Sequence, residues 1–193
     1  MTRLRAVAGA LLTGALLTAT AACSSLEGTG DGGYIEGDGR VTQIDPGDRA
    51  DPIELTGETL DGEPVDLADL RGEVVVMNTW GAWCGACHGE MPDLVGAAEE
   101  LGDRARFLGI NTRDPSREAA RSFERRYDVE YPSVDASSDP AVLLAFTGVF
   151  SPKATPTTVV LDQDGRVAAV VNGPVPSTLT LVQVVEDVLA EDA

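Results

Sequence analysis

Two cysteines stand two residues apart in the segment Trp80-Gly81-Ala82-Trp83-Cys84-Gly85-Ala86-Cys87-His88. A disulfide between Cys84 and Cys87 closes a loop too short to constrain the unfolded chain much, so its better use is chemical. A thiolate at Cys84 attacks a disulfide sulfur and forms a mixed disulfide. Cys87 then attacks Cys84 and releases the reduced partner. The same steps in reverse oxidise a dithiol. Structural zinc is the other use of such a pair, but it takes four ligands. The chain has no second pair, and its single histidine, His88, adjoins Cys87. No metal and no cofactor are expected.

The elements around the pair decide whether a thiolate is available. Glu73–Trp80 holds the continuous apolar run Val74-Val75-Val76-Met77, the pattern of a strand buried on both faces. Gly85–Gly102 carries Met91, Leu94, Val95, Ala98 and Leu101 at helical spacing and ends at Gly102. Cys84 therefore falls where a strand gives way to a helix. Free N–H groups and the positive end of the helix dipole there favour an anion and lower a thiol pKa. Cys87 lies one turn further in and is less exposed. Glu90, three residues past Cys87, neighbours it on the helix. Its bland reading is a solvated glutamate; its sharper one is a carboxylate that raises the thiol pKa and shuttles its proton. His88 reads as an exposed neighbour that tunes the pair rather than as a base. Trp80 and Trp83 flank the site, as packing or as an aromatic platform for a partner chain.

Further along, Ala105–Asn111 reads as a second buried strand, Pro115–Tyr127 as a charged helix and Tyr131–Val134 as a short strand. Asp139–Phe146 reads as a short helix. Thr157–Asp162 and Arg166–Asn172 form a hairpin over Gln163-Asp164-Gly165, and Ser177–Leu189 a closing helix. Ile53–Leu55 and Pro64–Leu67 flank a turn and read as an earlier hairpin. The order predicts an α/β fold with a central mixed sheet and helices on both faces.

Met1–Arg5 carries two arginines, and Ala6–Ala22 is uncharged and rich in Ala and Leu. That is the layout of a secretory signal, residues 1–22, and it is short for a membrane span of about 20 apolar residues. Residues 23–51 are rich in Gly and Asp and read as a flexible linker. The domain is expected over residues 52–193. The chain of 193 residues has 32 acids and 14 bases, for a net charge of −18. Such a surface repels phosphate, which argues against nucleic acid as a partner. It also repels anionic headgroups, so attachment to a membrane has to be hydrophobic.

Two resemblances add to this. Thr20-Ala21-Ala22-Cys23 resembles a bacterial lipoprotein cleavage box, which implies lipidation of Cys23 and anchoring to the outer face of the cell membrane. Trp83-Cys84-Gly85-Ala86-Cys87 before a helix, with Thr155-Pro156 before a late hairpin, resembles the thioredoxin fold. Asn78, Glu90-Met91-Pro92, the inserted helix-strand segment Pro115–Val134 and the N-terminal hairpin resemble its TlpA/ResA-like branch of extracytoplasmic thiol-disulfide oxidoreductases. The resemblance covers about Pro52–Ala190. It implies that Cys84 is the nucleophile, Cys87 the resolving thiol and Glu90 the acidic residue that tunes them. It also implies that Pro156 is a cis-proline facing the disulfide, with Thr155 pairing with substrate backbone beside Trp83. It further implies a monomer that reduces disulfides of exported proteins such as apocytochrome c, with electrons from a membrane thiol donor. Gly85-Ala86 stands where the family often has proline before the second cysteine. These residues set the potential, so a disulfide-forming oxidase stays open beside the reductase. Thiol peroxidase chemistry on the same fold is a further alternative.

Overall fold

The computed structural model describes residues 34–36, 41–149 and 154–191. The elements are β1 (Tyr34–Glu36), β2 (Val41–Ile44), β3 (Thr56–Glu58), β4 (Pro64–Asp66), β5 (Val74–Trp80), α1 (Gly85–Leu101), β6 (Ala105–Asn111), α2 (Arg117–Tyr127), β7 (Ser133–Asp135), β8 (Thr157–Leu161), β9 (Val167–Asn172) and α3 (Thr178–Ala190). Seven strands form one sheet in the order β1-β2-β9-β8-β5-β6-β7, and β3 pairs with β4 in a separate hairpin. The sheet is mixed: β5, β6 and β7 run parallel, and β8 and β9 are antiparallel to their neighbours.

β5 is central and every residue of it is buried. Its side chains alternate between two cores, as a strand's must. Val74, Val76 and Trp80 pack with Met91 and Leu94 of α1, Phe123 of α2 and Val185 of α3. Val75 and Met77 pack on the other face with Ile53, Leu67, Val142 and Phe146. That second face is covered by short 3-10 turns, Leu67–Leu70 and Pro140–Phe146, where the sequence predicts a helix at 139–146. Among the described residues, α1, α2 and α3 contribute to the first core only.

The helix ends follow from side chains. Ser116 accepts from the Ala119 N–H at 3.2 Å and opens α2, so Pro115 lies outside the helix rather than in its first turn. Ser177 caps α3 through Thr180 N–H at 3.1 Å. α2 and β7 are the inserted segment, and β7 extends the sheet edge beside β6.

The linker expected through Asp51 ends earlier. β2 pairs with β9, with Val41 opposite Val171 and Gln43 opposite Ala169, and β1 pairs back onto β2, with Tyr34 opposite Ile44. Val41, Gln43 and Ile44 are too few to announce a strand alone; the β9 edge supplies the partner. Arg49 then locks the segment down. Its side chain is 2% exposed, and its guanidinium pairs with Asp162 at 3.0 Å and with Glu191 at 2.6 Å. Its Nε donates to the Ile44 carbonyl at 3.0 Å. The expected signal segment 1–22 and Cys23 lie outside the described residues.

Arg49 is one of two arginines on the buried Asp162, with Arg166 at 3.1 Å the other. It is the only one of the two that also ties in Glu191, so losing this buried cation is costly. Arg49→Ala should lower the unfolding free energy by about 3 kcal/mol, read from the urea midpoint. A change within about 0.5 kcal/mol would show that residues 41–51 are not part of the folding unit.

Candidate active site

β5 delivers the chain to the end of the sheet at Trp80, and α1 starts at Gly85. Between them, Gly81-Ala82-Trp83 makes a tight turn. Cys84 N–H donates to the Gly81 carbonyl at 3.0 Å. A side chain at Gly81 would meet the Thr112 carbonyl oxygen at 2.8 Å, so only glycine fits. Cys84 is the N-cap of α1, and its Sγ accepts the Cys87 N–H at 3.2 Å. One of the helix's unpaired donors is thereby aimed at the sulfur, the arrangement that favours thiolate.

Cys84 and Cys87 form a disulfide, with their Cα atoms 5.3 Å apart. Cys84 is 4% exposed and Cys87 is fully buried, so only the first sulfur has a route outward. The Thr155–Pro156 bond is cis. The Thr155 carbonyl oxygen lies 3.9 Å from Cys84 Sγ. Thr79 holds this turn to β5: its Oγ1 accepts from Thr157 N–H at 3.0 Å and donates to the Thr157 carbonyl at 3.2 Å.

Glu90 is 1% exposed, on the buried face of α1. Its Oε2 accepts the Val175 N–H at 2.8 Å, and its Oε1 accepts from Asn78 Nδ2 at 3.0 Å. Burial pushes its carboxyl up from 4.5 to about 7, against these two hydrogen bonds, which favour the ionised form; the charge of Asp93 adds to the rise. Asn78 Nδ2 also donates to Thr158 Oγ1 at 3.0 Å, while Asn78 Oδ1 is buried without a partner. An amide with a spare acceptor beside a carboxyl that titrates near neutrality can serve either form by turning over. The solvated reading of Glu90 does not hold.

His88 also differs from expectation. It is half-buried, with Nε2 3.0 Å from the Ala82 carbonyl and Nδ1 2.7 Å from the Tyr127 hydroxyl, and its ring lies 4.8 Å from Phe123. The Ala82 carbonyl can only accept, so Nε2 carries a proton and donates to it. The two tryptophans divide the roles offered to them. Trp80 is buried and stacked on Phe123 at 4.7 Å. Trp83 is 47% exposed, with Nε1 donating to the Thr112 carbonyl at 2.8 Å.

Sequence reading does not single out the loop after β6, which frames the site. Both carboxylate oxygens of Asp114 accept the Ala82 N–H, each at 3.0 Å, and Asn111 Nδ2 donates to Asp114 at 2.6 Å. Arg113 lies over the Trp83 ring, 4.1 Å from its centre. The available signal is topological: β6 is parallel to β5, so the loop that follows it emerges at the same end of the sheet as Cys84. Among the described residues, no three of His, Cys, Asp and Glu converge as metal ligands.

Glu90 gives a signed pH test. Its native carboxyl holds a proton more tightly than the unfolded chain does. The stability this confers is complete below about pH 4.5 and is lost as pH rises through about 7. Relative to Glu90→Gln, the native protein should lose about 3 kcal/mol between about pH 4.5 and 7.5, measured by urea unfolding at each pH. Parallel stability–pH curves for the two proteins would refute the buried, raised carboxyl.

The family model for Redoxin matches residues 45–189. The chain is 29% identical over 119 residues to the thiol-disulfide oxidoreductase ResA of Bacillus cereus, a match that covers 59% of this chain and 63% of that protein. It is 30% identical over 123 residues to ResA of Bacillus subtilis, covering 63% of this chain and 65% of that one. The chain thus spans less than two thirds of the length of these curated relatives. Among solved structures, a DsbF homologue from Corynebacterium diphtheriae superposes with a TM-score of 0.68 at 36% identity, covering 78% of this chain and 94% of that one. A secreted thiol-disulfide isomerase from Corynebacterium glutamicum gives 0.70 at 32% identity, covering 80% and 95%. These agree with the thioredoxin-like fold and with the ResA-like resemblance of the motif. The matched region runs from the segment that carries Arg49 to the last helix, and the chain belongs to the Redoxin family.

Proposed function

We propose that the protein is an extracytoplasmic thiol-disulfide oxidoreductase that reduces disulfides in exported proteins. The observation that carries this is the Cys84–Cys87 disulfide at the start of α1, with the Cys87 amide on the Cys84 sulfur and the cis Thr155–Pro156 turn beside it. The ResA relatives carry the name thiol-disulfide oxidoreductase, which supports the activity.

In the reduced protein, Cys84 thiolate attacks one sulfur of a substrate disulfide and expels the other as a thiolate. Cys87 gives up its proton and attacks Cys84 Sγ, which expels the second substrate thiolate and restores the Cys84–Cys87 bond. Two electrons pass from the dithiol to the substrate, and two protons complete its thiols. Glu90, one turn from Cys87 and half-ionised near neutrality, takes the Cys87 proton. Thr155 offers its backbone to the substrate segment, and Trp83 its exposed ring. Each turnover then needs an external dithiol, for which a membrane thiol carrier is the donor in this reading.

The setting rests on the leader, residues 1–22, and on Cys23 as a lipid anchor; the Corynebacterium glutamicum neighbour is described as secreted, which supports export. Apocytochrome c fits as a substrate because its two haem-binding cysteines close a disulfide of the same short span. A second reading, disulfide formation or isomerisation, is favoured by that neighbour's description as an isomerase. Potential separates them: about −270 mV suits a reductant and about −120 mV an oxidant.

Cys84→Ser should abolish reduction of insulin disulfides by the full chain. Cys87→Ala should instead accumulate mixed disulfides through Cys84, visible as thiol-sensitive bands on a non-reducing gel. Capture through Cys87 in Cys84→Ser, and none through Cys84, would reverse the assignment of the two sulfurs.

A further inference from the structure

Arg113 departs from the rest of the surface. The protein is strongly acidic, and among the described residues every arginine except Arg113 and Arg126 forms an ion pair with a carboxylate. Both exceptions lie over aromatic rings instead, Arg113 on Trp83 and Arg126 on Tyr127. The nearest carboxylate in sequence, Asp114, is turned away: its oxygens are taken by the Ala82 N–H and Asn111. Arg113 is exposed, so among the described residues it is a cation without a carboxylate partner, on a surface where cations are scarce.

It is also held in place. Arg113 has a φ of 59°, a left-handed conformation that costs a non-glycine residue energy and persists only where its surroundings impose it. Those surroundings are the neighbouring bonds: Asp114 N–H to Ser137 Oγ at 2.9 Å, and the Asp114 carboxylate to Ala82. The guanidinium lies on the face of Trp83 and one Nη donates to Thr155 Oγ1 at 3.3 Å. Thr155 in turn has its carbonyl oxygen 3.9 Å from Cys84 Sγ. Trp83, Arg113 and Thr155 are thus linked in one rim around the reactive sulfur. A guanidinium has five N–H donors in a planar fork, and Thr155 uses one. The group that matches the others, in charge and in shape, is a carboxylate.

We infer that Arg113 is a specificity-determining residue that selects substrate segments with an Asp or Glu side chain next to the cysteine attacked by Cys84. The inference rests on the thiol-exchange reading above and specifies its substrate class. A segment laid along Thr155 brings the residue flanking its cysteine under the guanidinium. The overall field of the protein opposes this preference, since a net charge of −18 favours basic partners at long range. A measured preference for acid would therefore report the local cation and not the bulk charge.

The test uses the reduced full chain and three symmetric disulfide dimers of one single-cysteine peptide, with Glu, Gln or Lys beside the cysteine. The native protein should reduce the Glu peptide with a kcat/KM about fivefold above the Lys peptide, with Gln between, and the ratio should shrink as salt rises. Arg113→Gln should erase the ratio, and Arg113→Glu should invert it in favour of Lys. Each ratio is taken within one protein, so a change in thiol reactivity or fold stability cancels. A native ratio at or below one overturns the inference, as does a ratio that Arg113→Glu leaves unchanged. A native protein that reduces none of the peptides overturns the exchange reading itself, and the inference with it. Equal turnover of all three leaves exchange standing and removes only the acidic preference.

Discussion

The site depends on one contact, the N–H of Cys87 pointing at the sulfur of Cys84. A helix start has backbone donors with no partner of their own, and here a sulfur stands in the place where serine or aspartate usually caps. The contact requires the chain to change from extended to helical at that residue. β5 ensures this by being buried over its whole length, so the strand cannot slide. The turn after it is pinned from three sides: Asp114 at Ala82 N–H, His88 at the Ala82 carbonyl, and Thr112 at Trp83. Much of the polar bonding near the sheet's end therefore fixes the position of one atom.

Behind the sulfurs the protein accepts a cost. Glu90 is buried in the first core, where a charge is expensive, and its two hydrogen bonds only partly offset that. The result is a carboxyl poised near neutral pH beside the less accessible cysteine. The same group joins α1 to the loop before α3 through Val175, and Asp93 repeats the link one turn on through Thr178 N–H at 2.8 Å. Glu90 and Asp93 thus tie α1 to the start of α3 at the place where the carboxyl is held near neutrality.

Much of this was legible in the sequence because it rests on local pattern. The apolar run Val74–Met77, the helix ending at Gly102 and the Cys84–Cys87 spacing are each read within a few residues, and β6 falls on the predicted residues Ala105–Asn111. What escaped depends on partners distant in the chain. β2 looks like linker until β9 is placed beside it, and Arg49 looks like any surface arginine until Asp162 and Glu191 meet it. Burial of Glu90 follows from a loop 85 residues away, which spacing along one helix does not reveal. Arg113 and Asp114 belong to the site only because two parallel strands end together.

The register of the sheet also gives the molecule a polarity. Val75 lies opposite Leu161 and Thr79 opposite Thr157, so Cys84 and Thr155 share one pole, and Asp162 with its partner Arg49 marks the other. Through β9 and β2, Tyr34 of β1 falls beside Ile44 toward the Arg49 pole, which along a strand like β5 is about 20 Å from the sulfur. The first described strand thus starts at the pole away from Cys84, and the ion pair that holds the segment after β2 lies at that same pole.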